Sequence, residues 1–369
     1  MLKSIAKNDS KADYFLIMVV AILLILGILM IFSVSAFSSQ VKFGSPYYFL
    51  NHHLLLGLMP GLILAFIAFK IRLEFLKKWA PILLLMNIIL MALVFLPEIG
   101  FKAGGSARWL NLGLTTMQPS EFLKLTFILY LAVWLTNRSE NLKLTNQTFL
   151  AFLILIFLIT LLLIFQPDVS SLGIIIFTGL IIYFLSGAPL WHLILIILAG
   201  AISFFPLLKI APYRMARILV FLKPETDPLG IGYQLNQALI ALGSGGIFGL
   251  GLGMSQQKFG FLPQTLNDSI FAIFAEETGF VGSFILILFF LLFFWRGFTI
   301  AKNAPDKFSQ LLALGITFWI TIQTFFHISS ITGLLPLAGI SLPFISYGGS
   351  AMVTQLIGVG ILLNISRRA

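Results

Sequence analysis

Blocks of about 20 uncharged, apolar residues recur along the chain, and this repeat limits the fold more than any single motif does. At 1.5 Å of rise per residue such a block crosses a hydrocarbon core as a helix, whereas a membrane barrel needs short alternating strands. Ten spans are read, near residues 14–37, 50–69, 79–97, 120–136, 148–165, 170–187, 189–206, 269–295, 309–332 and 344–365. Hydrophobic residues make up 59% of the chain and charged residues 10%, against about 45–50% and 25% in soluble domains. The expected fold is therefore an all-α integral membrane protein, one polytopic domain over residues 1–369. No small-residue cleavage site follows the first apolar run, so a retained helix is expected there rather than a signal peptide.

The location of the charge decides what a net charge of +10 means. With the N-terminus inside, Lys3, Lys7, Lys11, Lys70, Arg72, Lys77, Lys78, Arg138, Lys143, Arg296, Lys302, Lys307, Arg367 and Arg368 all fall on the cytoplasmic side. That is the positive-inside bias, with both termini cytoplasmic, and it points to anionic lipid rather than nucleic acid. The chain has no cysteine, and its four histidines, at 52, 53, 192 and 327, do not pair at metal-ligand spacing. No structural metal site is expected.

Even spacing leaves two sizeable segments outside, residues 98–119 and a long loop at 207–268 between spans 7 and 8. Within the second, "GIGYQLNQALIALGSGGIFGLGLG" has helical apolar spacing followed by glycines. A short helix in the interface, or dipping into it over a cavity, suits that pattern. No internal repeat favours an inverted-repeat transporter.

The scarce polar residues carry the chemistry. Asp268 lies at the outer end of the eighth span, where helix cap and functional carboxylate are equally good readings. Helix geometry puts Glu276 about 12 Å below it and turns Glu277 roughly away. Groups at that depth need partners or a cavity, and Glu277 suits hydrogen bonds from a neighbouring helix. Pro119 suits a first helical turn, and Glu121 and Lys124, three apart, share a face as an ion pair whose structural support outweighs direct catalysis. Arg108 is shaped to grip phosphate oxygens, and Arg214, Arg217 and Lys258 lie on the same side. Trp109 suits interfacial anchoring. Gly339, Pro343, Gly348 and Gly349 break the pattern between the last two spans, either as a re-entrant connection or as amides that hold an anion. Asp168 is a cap for the sixth span.

Together "QPSEFLK", "QPDVSS", "GYQLNQALIALGSGGIFGLGLGMSQQKFGFLP", "NDSIFAIFAEETGFVG" and "LPFISYGGS" resemble the SEDS family of bacterial shape, elongation, division and sporulation proteins. The motifs keep the family's order from about residue 100 to the C-terminus, and "GMSQQK" with "GVGILLNISRR" is closer to its division branch than to its elongation branch. The resemblance implies a multi-pass protein of the bacterial cytoplasmic membrane. Its activity would be an inverting peptidoglycan glycosyltransferase that polymerises lipid II, a disaccharide-pentapeptide on undecaprenyl pyrophosphate, at the outer membrane face. It also implies a class B penicillin-binding transpeptidase and other division proteins as partners.

The family's essential aspartate falls on Asp268, which would be the general base, and its acid–base pair falls on Glu121 and Lys124. Substrate contacts would come from Arg108, Gln118, Ser120, Arg214, Arg217, Gln234, Lys258, Glu276, Ser346, Gly348, Gly349 and Ser350. A divalent cation, Mg or Mn, would be a further aid, although no complete ligand set for one is visible. The chain departs from the family pattern at "NHHLLLG", where an arginine is usual, at NDS for TDF, and at His327 for asparagine. A lipid II flippase, an elongation-type polymerase and a non-catalytic scaffold are the competing readings.

Overall fold

The computed structural model describes residues 12–103, 106–111, 113, 115–139, 146–196, 198, 200, 212–223 and 230–368. Eight of the described helices are long and apolar enough to cross a membrane: α1 (Tyr14–Phe43), α2 (Tyr48–Lys70), α3 (Leu73–Leu93), α4 (Pro119–Ser139), α5 (Asn146–Phe165), α9 (Ile270–Lys302), α10 (Lys307–Ile331) and α11 (Gly349–Ser366). A shorter apolar helix, α6, spans Val169–Leu185. The seventh expected span, 189–206, lies partly outside the described residues. Between the sixth and eighth expected spans the long loop carries α7 (Pro212–Leu222) and α8 (Ile231–Ser244), the second of which coincides with the helix read from its apolar spacing.

The wholly helical expectation needs one correction. Residues Gly100–Ala103, Ser106–Asn111 and Thr116–Met117 form a three-stranded antiparallel sheet, β1-β2-β3, in which Phe101 pairs with Trp109. Strands this short show no usable period, and β-branched residues are almost absent from them.

Burial sorts the helices by their polar content. α4, α10 and α11 are mostly enclosed, while α2, α3 and α5 present most of their surface outward. The enclosed helices carry Glu121, Lys124, Gln323, His327, Gln355 and Asn364, all buried. Groups that would be costly against lipid thus turn toward one another. α2 and α11 pack most extensively, because small residues let their backbones approach: a Cβ on Gly360 would lie 2.2 Å from the Ala65 carbonyl oxygen. Within α2 the turn Leu54–Leu58 is a π-helix. Pro60 follows it, and since proline cannot donate to the Leu56 carbonyl, the widened turn absorbs the mismatch.

α9 is broken inside the membrane. Gly279 has φ 68° and ψ −166°, so the helical ladder stops there. The freed groups find partners in the glycine-rich turn after α8: Leu250 and Gly251 N–H donate to the Glu276 and Glu277 carbonyls, both at 3.0 Å. Phe280 and Val281 N–H donate back to Gly246 and Ile247, at 2.9 and 3.0 Å. A backbone interruption at this depth is stable only with such pairing. Glycine is required for it, since a Cβ on Gly249 would meet the Glu277 oxygen at 2.2 Å and one on Gly279 the Gly249 nitrogen at 2.3 Å.

Candidate functional site

Asp268 sits just before α9, in a turn built by Gln264. Gln264 has φ 52°, and its carbonyl accepts from the N–H groups of Asn267, Asp268 and Ser269 at 3.2, 3.1 and 3.1 Å. A left-handed non-glycine residue is strained and is held only where its surroundings over-determine it. The cap reading of Asp268 is not realised: Ser269 takes the N-cap position, and its side chain makes no cap bond. Instead Ser269 Oγ donates to the Pro263 carbonyl at 3.0 Å and accepts from Gln234 Nε2 at 3.2 Å. Gln234 therefore ties α8 to the Asp268 turn.

The opposite wall is the segment between α10 and α11. Gly339, at φ +61°, lies so close that a Cβ there would be 3.4 Å from Asp268 Oδ2. Successive carbonyls of this strap are held from several elements. Arg217 Nη1 donates to Leu337 at 3.1 Å, Ser170 Oγ to Ala338, and Gln323 Nε2 to Ser341 at 3.0 Å. His327 Nδ1 lies 2.6 Å from the Ile340 carbonyl. Ser346 Oγ closes the strap onto the Asp268 turn by donating to Asn267 O at 2.7 Å, and Tyr347 N–H donates to Leu266 O at 2.9 Å.

Asp268 keeps some exposed surface, yet the protein around it pushes its acid up to about 6 by withdrawing water, against the pull of Arg217 and then Arg108 toward lower values. Three residues singled out from sequence, Asp268, Arg108 and Arg217, thus meet electrostatically. Arg108 is anchored by the Gln166 carbonyl at 3.1 Å and by the Pro167 carbonyl. Beside it runs a polar chain. Ser350 Oγ accepts from Gln118 N–H at 3.0 Å, Gln118 Nε2 donates to Ser120 Oγ at 3.1 Å, and Ser120 Oγ donates to Asp168 Oδ2 at 2.9 Å. Asp168 caps α6 through Ser171 N–H, as expected.

The site lies at one end of the bundle. Tyr347 OH is 2.7 Å from His52 Nδ1, at the start of α2, whereas Lys70 ends that helix about 27 Å further along its axis.

Other expected residues fall elsewhere. Lys258 is buried, and its ammonium bonds Glu277 Oε1 at 3.0 Å, Ser33 Oγ at 3.1 Å and the Gly253 carbonyl at 2.6 Å. It is committed inside the bundle, unlike the phosphate-facing position read from sequence. Glu277 accepts from Ser33 of α1 at 2.7 Å. Glu276 accepts from Ser255 Oγ and from Gln256 N–H at 3.1 Å, holding the loop after α8. Gly349 faces the Leu56 carbonyl, which a Cβ would approach to 3.2 Å, so close helix packing accounts for it, and Gly348 precedes it in extended backbone. The Arg214 side chain is outside the described residues. Glu121 and Lys124 pair at 2.8 Å, buried.

Sequence reasoning missed Gln264, Gln323, His327 as a strap anchor, and Gly339 as a contact of Asp268. A lone glutamine in "FWITIQTFFH" was the available signal for Gln323, since a buried amide in the membrane needs partners. Among the described residues no three His, Asp or Glu side chains gather as a metal cage.

The family described as cell cycle protein, the FtsW–RodA–SpoVE group, matches residues 13–369. Stage V sporulation protein E of Bacillus subtilis is 38% identical over 98% of this chain and 98% of its own length. The probable peptidoglycan glycosyltransferase FtsW of Thioalkalivibrio sulfidiphilus is 40% identical over 97% and 90%. A solved structure described as structural coordination of polymerization and crosslinking by a peptidoglycan synthase complex superimposes with a TM-score of 0.79, at 27% identity, over 97% of this chain and 98% of that one. The crystal structure of the Thermus thermophilus rod shape determining protein RodA gives 0.71, at 26% identity, over 96% and 97%.

Proposed function

The chain belongs to the FtsW–RodA–SpoVE family of cell cycle proteins, the SEDS family, and from that premise we propose that it is a peptidoglycan glycosyltransferase that polymerises lipid II, with Asp268 as its general base. Relatives 36–40% identical are named probable peptidoglycan glycosyltransferase FtsW, which supports septal wall synthesis over the elongation role. The observation that carries the reading is the Asp268 carboxyl beside Gly339, under the influence of two guanidiniums at one end of the bundle.

An acid near 6 is ionised at neutral pH yet basic enough to accept a proton from a sugar hydroxyl as that hydroxyl attacks the donor's anomeric carbon. Attack from the face opposite the leaving group inverts the centre. The leaving group is a pyrophosphate, stable as an anion, so no second carboxyl has to protonate it. Arg108 and Arg217 supply positive charge where it departs, in a poorly hydrated site where such contacts count for more than in water. A divalent cation, Mg or Mn, would add to that positive charge as a further aid.

The topology follows from the same reading: ten spans in one domain over residues 1–369, both termini cytoplasmic, and 207–268 on the outer side, in the bacterial cytoplasmic membrane. A class B penicillin-binding transpeptidase is the proposed partner, because the chain superimposes on a synthase complex that couples polymerization to crosslinking. Arg214 remains a proposed substrate contact.

The test uses purified lipid II, with and without the transpeptidase. Asp268→Asn is expected to bind the partner and to polymerise slower by about 10²–10⁴. Full polymerisation by that variant would remove the base, and lipid II translocation without polymer by the wild type would favour a flippase.

A further inference from the structure

At the end of the bundle away from Asp268, α1, α2 and α11 leave a groove of about 360 Å³ between them. Its walls include Val20 and Leu24 of α1, Leu62 and Phe66 of α2, and Val359 and Leu363 of α11. On each helix it runs for about seven residues, or about 10 Å of axis, and its walls are apolar throughout, a lining that suits a hydrocarbon chain.

The mouth of the groove is cationic. Lys70 Nζ lies 5.6 Å from the ring centres of both Phe66 and Phe69, and the Arg367 guanidinium lies 5.5 Å from that of Phe69. Both rings line the groove. The three helix ends are pinned, since Asn364 Nδ2 donates to the Ala68 and Ile71 carbonyls at 2.8 and 2.6 Å and Asp13 N–H donates to Ser366 Oγ at 3.3 Å. The groove is therefore a fixed feature of the packing.

From this combination we infer that the groove is a binding site for one acyl chain of an anionic phospholipid, whose phosphate lies between Lys70 and Arg367. Basic pockets between helices on the cytoplasmic side are where anionic headgroups are held. Assignment to the cytoplasmic leaflet rests on the orientation proposed above, while the site itself does not.

Native mass spectrometry of the detergent-purified full chain tests this, with phosphatidylglycerol and phosphatidylcholine of matched acyl chains as probes. One phosphatidylglycerol is expected to be retained about tenfold better than phosphatidylcholine. The double variant Lys70→Gln/Arg367→Gln is expected to abolish that preference while still binding either lipid weakly. Ala21→Trp, from an exposed position on the groove's wall, is expected to displace both, and Leu62→Trp repeats the experiment from α2 should the first variant melt early. Equal retention of the two lipids by the wild type, or undiminished phosphatidylglycerol in both tryptophan variants, would overturn the site. So would competition by the transpeptidase for the same groove, which would identify a protein occupant.

Discussion

Lys124 Nζ lies 2.9 Å from Gln323 Oε1, across 199 residues of sequence. The same oxygen accepts from Trp319 Nε1 at 3.0 Å, and because both donors lack acceptor capacity the amide's orientation is fixed. Its nitrogen then points to Ser341, next but one to Gly339 in the strap facing Asp268. The Glu121–Lys124 pair thus reaches the site through Gln323. Gln323→Leu is expected to leave buried donors unsatisfied, lowering stability by about 2–4 kcal/mol and slowing polymerisation. Thermal melting in detergent alongside initial rates checks this, and wild-type values for both would break the link.

Lys258 and Glu277 make a second buried pair. Removing one partner leaves the other charge uncompensated, at about 3–5 kcal/mol. Lys258→Met is expected to melt early, with surviving protein keeping its apparent affinity for lipid II, and Glu277→Gln in the same chain should recover part of the loss. A selective rise in KM without loss of stability would return Lys258 to the substrate.

The broken helix makes a prediction about glycines. Gly279→Ala and Gly249→Ala are expected to reduce the yield of folded protein sharply, because each Cβ would enter backbone atoms and each glycine has positive φ. Gly243→Ala, with nothing within 4 Å, is the control and should express normally. Size-exclusion profiles of the three variants provide the comparison.

Asp268 also predicts a pH dependence. Its acid is raised from 3.8 to about 6, so the folded chain holds a proton that the unfolded chain has lost, and stability falls as pH rises between those values. Asp268→Asn is therefore expected to raise stability near neutral pH by about 1–2 kcal/mol, the full two-unit shift being discounted for partial exposure. Arg217→Gln removes a charge that lowers the acid, so the acid limb of its pH–rate profile should move upward. An unshifted limb would detach Arg217 from the base.

Eight of the spans were legible because length and apolarity alone specify a membrane helix. The Glu121–Lys124 pair was legible because residues three apart on a helix must share a face. Lys258 was misread because sequence shows which acids exist but not which one a folded loop brings to it. The glycine cluster signalled irregular backbone, while its partner, the break at Gly279 inside an apolar run, exists only once two distant segments meet. The small sheet escaped because Thr116–Met117 and its neighbours are too short to show a period. Gln323 was visible as an anomaly, and its role depends on a contact that no local pattern encodes.

The central claim is that Asp268 removes the acceptor hydroxyl's proton. Initial rates of glycan formation from purified lipid II, measured from pH 5 to 9 for the wild type and Asp268→Asn, test it most directly. The wild-type rate should fall below about pH 6, and the variant should be slower by about 10²–10⁴ with that limb gone. A variant within tenfold of the wild type, with the same limb near 6, would contradict it.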